Sequence, residues 1–206
     1  MKSDAIAFGV AGVVFGLIAG WIIGSQQSAG REAVPATAPA QSAAAAPPAA
    51  PSSSPPPPLL DESKVTAFKT MAEREPGNPK PRIELANLYF DSEKYDDAIK
   101  WYSDALKLAP NDVNVSTDLG VSYYYTNQAD KALEQFAHSL QLDPKHAKTL
   151  LNVGVVKAFG KQDLPGAEEA WQKVVELAPN SPEGQAAKRA LDSLRSAHPG
   201  GNKPGA

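Results

Sequence analysis

Apolar and polar positions divide the chain into stretches of different character. From Ala5 to Ile23 every residue is apolar or small, and no charge occurs between Asp4 and Arg31. That run is long enough to cross a bilayer core as a helix, so residues 1–24 are predicted to be an N-terminal transmembrane anchor. Residues 25–58 are mainly Ala, Pro, Ser and Gln, with almost no large apolar side chain. Burial there has nothing to set against the entropy of ordering the backbone, which predicts a disordered linker. Beyond Leu59 the Leu, Tyr and charged residues recur with the periodicity of a folded helical domain as far as Ala197. Residues 198–206 form a short tail rich in Gly and Pro.

Within the folded stretch a longer period governs the shorter one. Pro76, Pro110 and Pro144 are 34 residues apart, and Pro179 follows after 35. When the chain is aligned on these prolines, Leu85-Ala86, Leu119-Gly120 and Val153-Gly154 coincide, as do Ala98, Ala132 and Ala167. The aromatic residues Tyr102, Phe136 and Trp171 also coincide, and so do Tyr89 and Tyr123. Small residues suit the contact between the two helices of a hairpin, large ones fill the gap to the next hairpin, and proline ends each unit because it cannot continue a helix. A period of this length belongs to paired-helix repeats. The extra residue of the third unit is expected in the turn Lys161-Gln162-Asp163-Leu164-Pro165-Gly166.

This pattern resembles the tetratricopeptide repeat family. The resemblance implies an all-α fold, a right-handed superhelical stack of helix-turn-helix hairpins, preceded by the transmembrane helix and the linker. The units are placed at 79–112, 113–146 and 147–181. A packing helix occupies 59–78, where Phe68 and Met71 stand at second-helix positions, and a capping helix occupies 182–197. Ser181 is its expected N-cap and Pro182 its first turn, with Arg189 and Arg195 facing solvent. Eight helices are therefore predicted. Departures from the family pattern are Arg82, Ser116 and Leu150 in place of an early aromatic residue, and Lys157 in place of a tyrosine.

The resemblance further implies a ligand groove lined by the first helix of each hairpin. Its expected residues are Lys80, Ile83, Asn87, Phe90 and Asp91 in the first unit. Asn114, Thr117, Val121, Tyr124 and Tyr125 follow in the second, and Lys148, Leu151, Val155, Ala158 and Phe159 in the third. Family members that clamp a terminal carboxylate need cations where Ile83, Thr117 and Leu151 stand here, so that mode is set aside. A groove carrying Phe90, Tyr124, Tyr125 and Phe159 suits the apolar side chains of an extended or helical peptide, with Asn87 and Thr117 bonding its backbone.

Charge and composition narrow the function classes. A net charge of −3 over 206 residues leaves no clustered basic face for nucleic acid and no polybasic segment for anionic lipid. The chain has no cysteine, which removes disulfides, zinc-thiolate sites and covalent haem attachment. His138, His146 and His198 read as surface residues. The acidic pairs Asp96-Asp97 and Glu168-Glu169 read as dipole-complementing residues at second-helix starts. No catalytic constellation, cofactor, metal or small-molecule substrate is expected.

The apolar run is longer than the core of about 7–15 residues usual for a cleaved signal, Gly24-Ser25-Gln26-Gln27 offers no clear cleavage site, and Trp21 suits an interfacial anchor. An uncleaved anchor is therefore expected. Lys2 and the amino terminus place the start of the chain in the cytoplasm and the repeats outside it, in the periplasm if the source is bacterial. Gly12, Gly16, Gly20 and Gly24 share one face of this helix, which either permits anchor-to-anchor pairing or reflects the ordinary frequency of glycine in membrane helices. Two functions follow: an adaptor that captures a protein or peptide client, or a self-associating assembly factor of a membrane complex. The stretch from Gly166 to Ala190 also resembles the anchored repeat proteins of cytochrome c maturation, and the general layout resembles pilus or envelope assembly proteins.

Overall fold

The computed structural model describes residues 59–197. The predicted anchor with Gly12, Gly16, Gly20 and Gly24, the linker and the tail lie outside these residues, and no helix among the described residues is long and apolar enough to cross a membrane. The described residues form eight α-helices and no strands: α1 (Glu62–Arg74), α2 (Lys80–Asp91), α3 (Tyr95–Leu108), α4 (Val113–Tyr125), α5 (Ala129–Leu142), α6 (Ala147–Val155), α7 (Leu164–Leu177) and α8 (Pro182–Ala197). Consecutive helices pack on one another, and α6 also touches α4 and α8, the first helix of the preceding hairpin and the terminal helix. The helix number and the all-α stack agree with the sequence-based expectation.

Local chemistry sets most of the helix boundaries. Asp61, Asp112 and Asp163 accept backbone N–H bonds at the starts of α1, α4 and α7. Ser181 Oγ accepts from the Gly184 N–H at 3.0 Å and so caps α8. Each hairpin turn contains one residue in the left-handed region, Glu93, Asn127 or Gln162, and none of the three is glycine. Glu168 and Glu169 lie beyond the first turn of α7, so their expected role at a helix start is corrected.

The hairpin interiors pair a small residue on the first helix with a ring on the second. Tyr102, Phe136 and Trp171 are almost fully buried, as are Ala86, Ala98, Ala132 and Ala167. A Cβ on Gly120 would overlap the Phe136 ring, and one on Gly154 would overlap the Trp171 indole. The larger ring thus faces the smaller residue, keeping each interior close-packed. Trp171 Nε1 donates to the Leu151 carbonyl at 3.2 Å, which satisfies the one polar atom of that ring.

The extra residue of the third unit does not lie in the turn. Residues Val156–Gly160 form a π-helical turn continuing α6, closed by the Lys161 N–H bonding the Val156 carbonyl at 3.0 Å. From the left-handed residue to the next helix the spacing is the same in all three hairpins: Glu93 to Tyr95, Asn127 to Ala129, Gln162 to Leu164. The helix therefore absorbs the insertion by widening, a known way for a helix to accommodate one residue too many. Residues after the π-turn are displaced by one position relative to the other units.

Candidate peptide-binding groove

The residues expected in a groove separate into two structural groups. Ile83, Asn87, Phe90, Tyr124, Tyr125, Lys148 and Phe159 are half-buried, while Lys80, Asp91 and Asn114 are exposed. Thr117, Val121, Leu151, Val155 and Ala158 are buried, with Thr117 at 0% and Leu151 at 1% exposure. These five belong to the packing between helices, which corrects their expected place on an open surface. Four of the five are apolar, a character that suits core and groove alike in sequence.

Thr117 is also committed chemically. Its hydroxyl donates to the Val113 carbonyl at 2.7 Å and lies 2.7 Å from Thr149 Oγ1, which in turn lies 2.6 Å from His146 Nδ1. With the Thr117 proton on Val113, the chain closes when Thr149 donates to Thr117 and His146 donates from Nδ1. His146 is therefore a bonded, half-buried residue rather than a plain surface one, and burial lowers its pKa. Asn87 is partly engaged as well, since its Oδ1 accepts from the Tyr102 hydroxyl at 2.7 Å.

Of the four aromatic residues expected in the groove, Phe90, Tyr124 and Tyr125 come together. The Phe90 ring meets Tyr95 edge-on at 5.3 Å and Tyr125 at 5.8 Å, while Tyr95 and Tyr125 stack at 4.5 Å with an interplanar angle of 9°. Tyr124 lies 6.0 Å from Tyr125. Burial, and then the neighbouring Tyr125, pushes the Tyr124 hydroxyl up to about 12. Tyr95 was missed in the sequence reading because it comes from a second helix. Beside this group, Glu93, Tyr95, Asp96, Tyr125, Thr126 and Gln128 are among the residues lining an open cleft at the first hairpin turn.

A second row, of charged groups, crosses the first helices. Lys148 of α6 bonds Asp118 of α4 at 2.6 Å, with both side chains about three-quarters buried. Burial raises the pKa of Asp118 against the opposing effect of Lys148. Asp91, at the end of α2, is raised by burial and by Asp118. Asp118 and Asp91 also act on the buried Tyr102 hydroxyl, whose pKa rises mainly through desolvation. Among the described residues no group of three His, Asp or Glu side chains converges to hold a metal ion.

Residues 86–126 match a family model described as TPR repeat, and residues 117–182 match one described as tetratricopeptide repeat. Together the two models cover residues 86–182 of this chain. No curated protein matches the chain. Among solved structures, MamA is similar at 16% identity and a TM-score of 0.54, over 64% of this chain and 85% of that one. The first repeat domain of Spaghetti (RPAP3), bound to the HSP90 peptide SRMEEVD, is similar at 23% identity and a TM-score of 0.51, covering 67% of this chain and 95% of that one. The Yersinia enterocolitica type III secretion chaperone SycD, in complex with a peptide of the translocator YopD, is similar at 24% identity and a TM-score of 0.52, over 57% and 89%. At these identities the likeness is one of fold.

Proposed function

We propose that this protein is a membrane-tethered adaptor whose repeats capture a peptide segment of a client protein, in maturation or assembly outside the cytoplasm. The tether is the apolar segment from Ala5 to Ile23, and its orientation follows from Lys2. The observation that carries the binding reading is the Phe90, Tyr95, Tyr124 and Tyr125 group, half-buried rings contributed by both helices of one hairpin and the first helix of the next. Aromatic side chains held partly exposed on rigid helices offer large contact area at small entropic cost, the usual character of an interaction hot spot. Two proteins of similar fold hold peptides, which supports the same class of partner here.

The test is photo-crosslinking in cells from a benzoylphenylalanine placed at Tyr124, with the attached species identified. A discrete client adduct that disappears in Phe90→Ala, while helicity is kept, is the expected result. Adducts that persist in Phe90→Ala overturn the reading. The four-residue glycine spacing from Gly12 to Gly24 favours a second reading, self-association through the anchor. In that case only self-adducts form, and they are lost when Gly16 and Gly20 are replaced by leucine.

A further inference from the structure

An open cleft of about 570 Å³ lies where the start of α3 and the turn before it face the end of α4, at the first junction between hairpins. The stacked rings of Tyr95 and Tyr125 line it, with Glu93 and Asp96 on one side and Thr126 on the other. Asp97 beside them is taken by Lys100 at 3.6 Å, but neither Asp96 nor Glu93 pairs with a cation among the described residues. Lys94 also lines the cleft and makes no ion pair with a described residue.

The repeat supplies a second copy of this place. Counted from the left-handed residue of each turn, Asp96 corresponds to Asp130 and Thr126 to Lys161. At the second junction Lys161 Nζ bonds Asp130 Oδ1 at 2.6 Å, so a cation from the next hairpin satisfies the carboxylate. At the first junction the corresponding Thr126 is short and uncharged. Its hydroxyl is turned back onto the Ser122 and Tyr123 carbonyls and accepts from Gln128 Nε2 at 2.8 Å, so it is committed within its own turn. The chain thus shows, one repeat along, which chemistry fills this position, and leaves the position open where the junction is aromatic. The rings suit the same occupant, since a cation is drawn to the face of a tyrosine as well as to a carboxylate.

Resting on the adaptor reading above, we propose that the client segment inserts a lysine or arginine side chain into this cleft, pairing with Asp96 as Lys161 pairs with Asp130, while its alkyl stem lies against Tyr95 and Tyr125. With Asp97 and Lys100 set against each other, Asp96 and Glu93 outnumber Lys94, so the cleft is complementary to a cation. Arginine suits it best, because a guanidinium stacks on a ring and bonds a carboxylate in a fork. The specificity is opposite in sign to a carboxylate clamp.

The test measures fluorescence anisotropy with the purified full chain and labelled decapeptides of one leucine-containing frame, with arginine, citrulline or glutamate at the centre. Citrulline keeps the shape of arginine and removes its charge. An exposed ion pair and a cation–π contact together are expected to favour arginine over citrulline about tenfold, with glutamate weakest. In Asp96→Asn that preference falls to near unity. In Thr126→Lys it falls likewise, because the new lysine fills the cleft from within as Lys161 does at the second junction. Asn180→Lys adds the same charge at an exposed position between α7 and α8, and it leaves the preference unchanged. Equal binding of the arginine and citrulline peptides, an arginine preference retained in Asp96→Asn or Thr126→Lys, or no binding of the arginine peptide overturns the inference. Equal binding that is lost in Phe90→Ala overturns the inference alone and leaves the adaptor reading. An arginine preference that depends on Asp96 while Phe90→Ala changes no affinity supports the cleft and overturns the aromatic-group reading.

Discussion

The two junctions between the three hairpins occupy equivalent places in the repeat and are built from opposite materials. At the first, Tyr125 stacks on Tyr95 and meets Phe90 edge-on. At the second, Gly160 takes the place of Tyr125, because the π-turn puts it six residues after Gly154, whereas Tyr125 comes five after Gly120. The neighbours confirm the correspondence. A Cβ on Gly160 would meet Ala129 at 3.1 Å and Tyr124 at 3.3 Å, the counterparts of Tyr95 and Phe90. The first junction is thus held by rings. The second closes around small residues, with the buried Thr117–Thr149 bond and the ion pairs Lys148–Asp118 and Lys161–Asp130 crossing it. An aromatic junction can lend one edge to a ligand and keep its packing, whereas a polar network must stay fully satisfied to be stable. That difference places the candidate binding surface at the first junction.

Truncating the ring stack is the strongest way to break this contrast. Tyr125→Ala removes contacts with Phe90, Tyr95 and Tyr124 together, and a loss of about 2–3 kcal/mol in unfolding free energy is expected from denaturant titration. A loss below about 0.5 kcal/mol, the range of an ordinary surface substitution, contradicts the ring-held junction. The second junction answers to a different change. Thr149→Val keeps the shape and leaves the Nδ1–H of His146 and the lone pairs of Thr117 without a partner, so a loss of about 1–2 kcal/mol is expected. An unchanged midpoint in that variant means the hydroxyl chain contributes nothing.

The smallest effect is a pH dependence of the second junction. His146 has its folded pKa lowered by burial, so the unfolded chain binds the proton more readily. The stability it contributes is complete above its unfolded value of about 6.5 and is lost as pH falls through and below that value. Asp91 and Asp118, with raised folded values, act in the opposite sense at lower pH, stabilising as they protonate. Thermal melts at pH 7.5 and 5.5 should therefore fall more in the parent than in His146→Gln. An equal fall in both rules out His146 as the cause.

Much of this architecture was legible because it repeats. The proline spacing, the small residue facing a large ring and the Ser181 cap each express a local steric or hydrogen-bonding rule, and such rules act within one hairpin. The candidate site was legible only in part. Phe90, Tyr124 and Tyr125 were recognisable as aromatic residues on first helices. Tyr95 was hidden because its position is aromatic in only one of the three units, with Ala129 and Leu164 in the others. Asp118 stood unremarked because a mid-helix carboxylate gains meaning only from Lys148, 30 residues away.

The sequence by itself determined the helix number, the hairpin pairing and the order of the stack, since side-chain volume and backbone capping are encoded within spans of a few turns. Tertiary structure decided where the surplus residue went. The packing of Gly154 on Trp171 pins α6 on one side, and the unchanged turn geometry pins it on the other, so the helix between them had to widen. It also decided which polar residues remain available to a partner. Thr117 looks as free as Asp91 along the chain, and only the approach of a helix 32 residues later commits one and leaves the other.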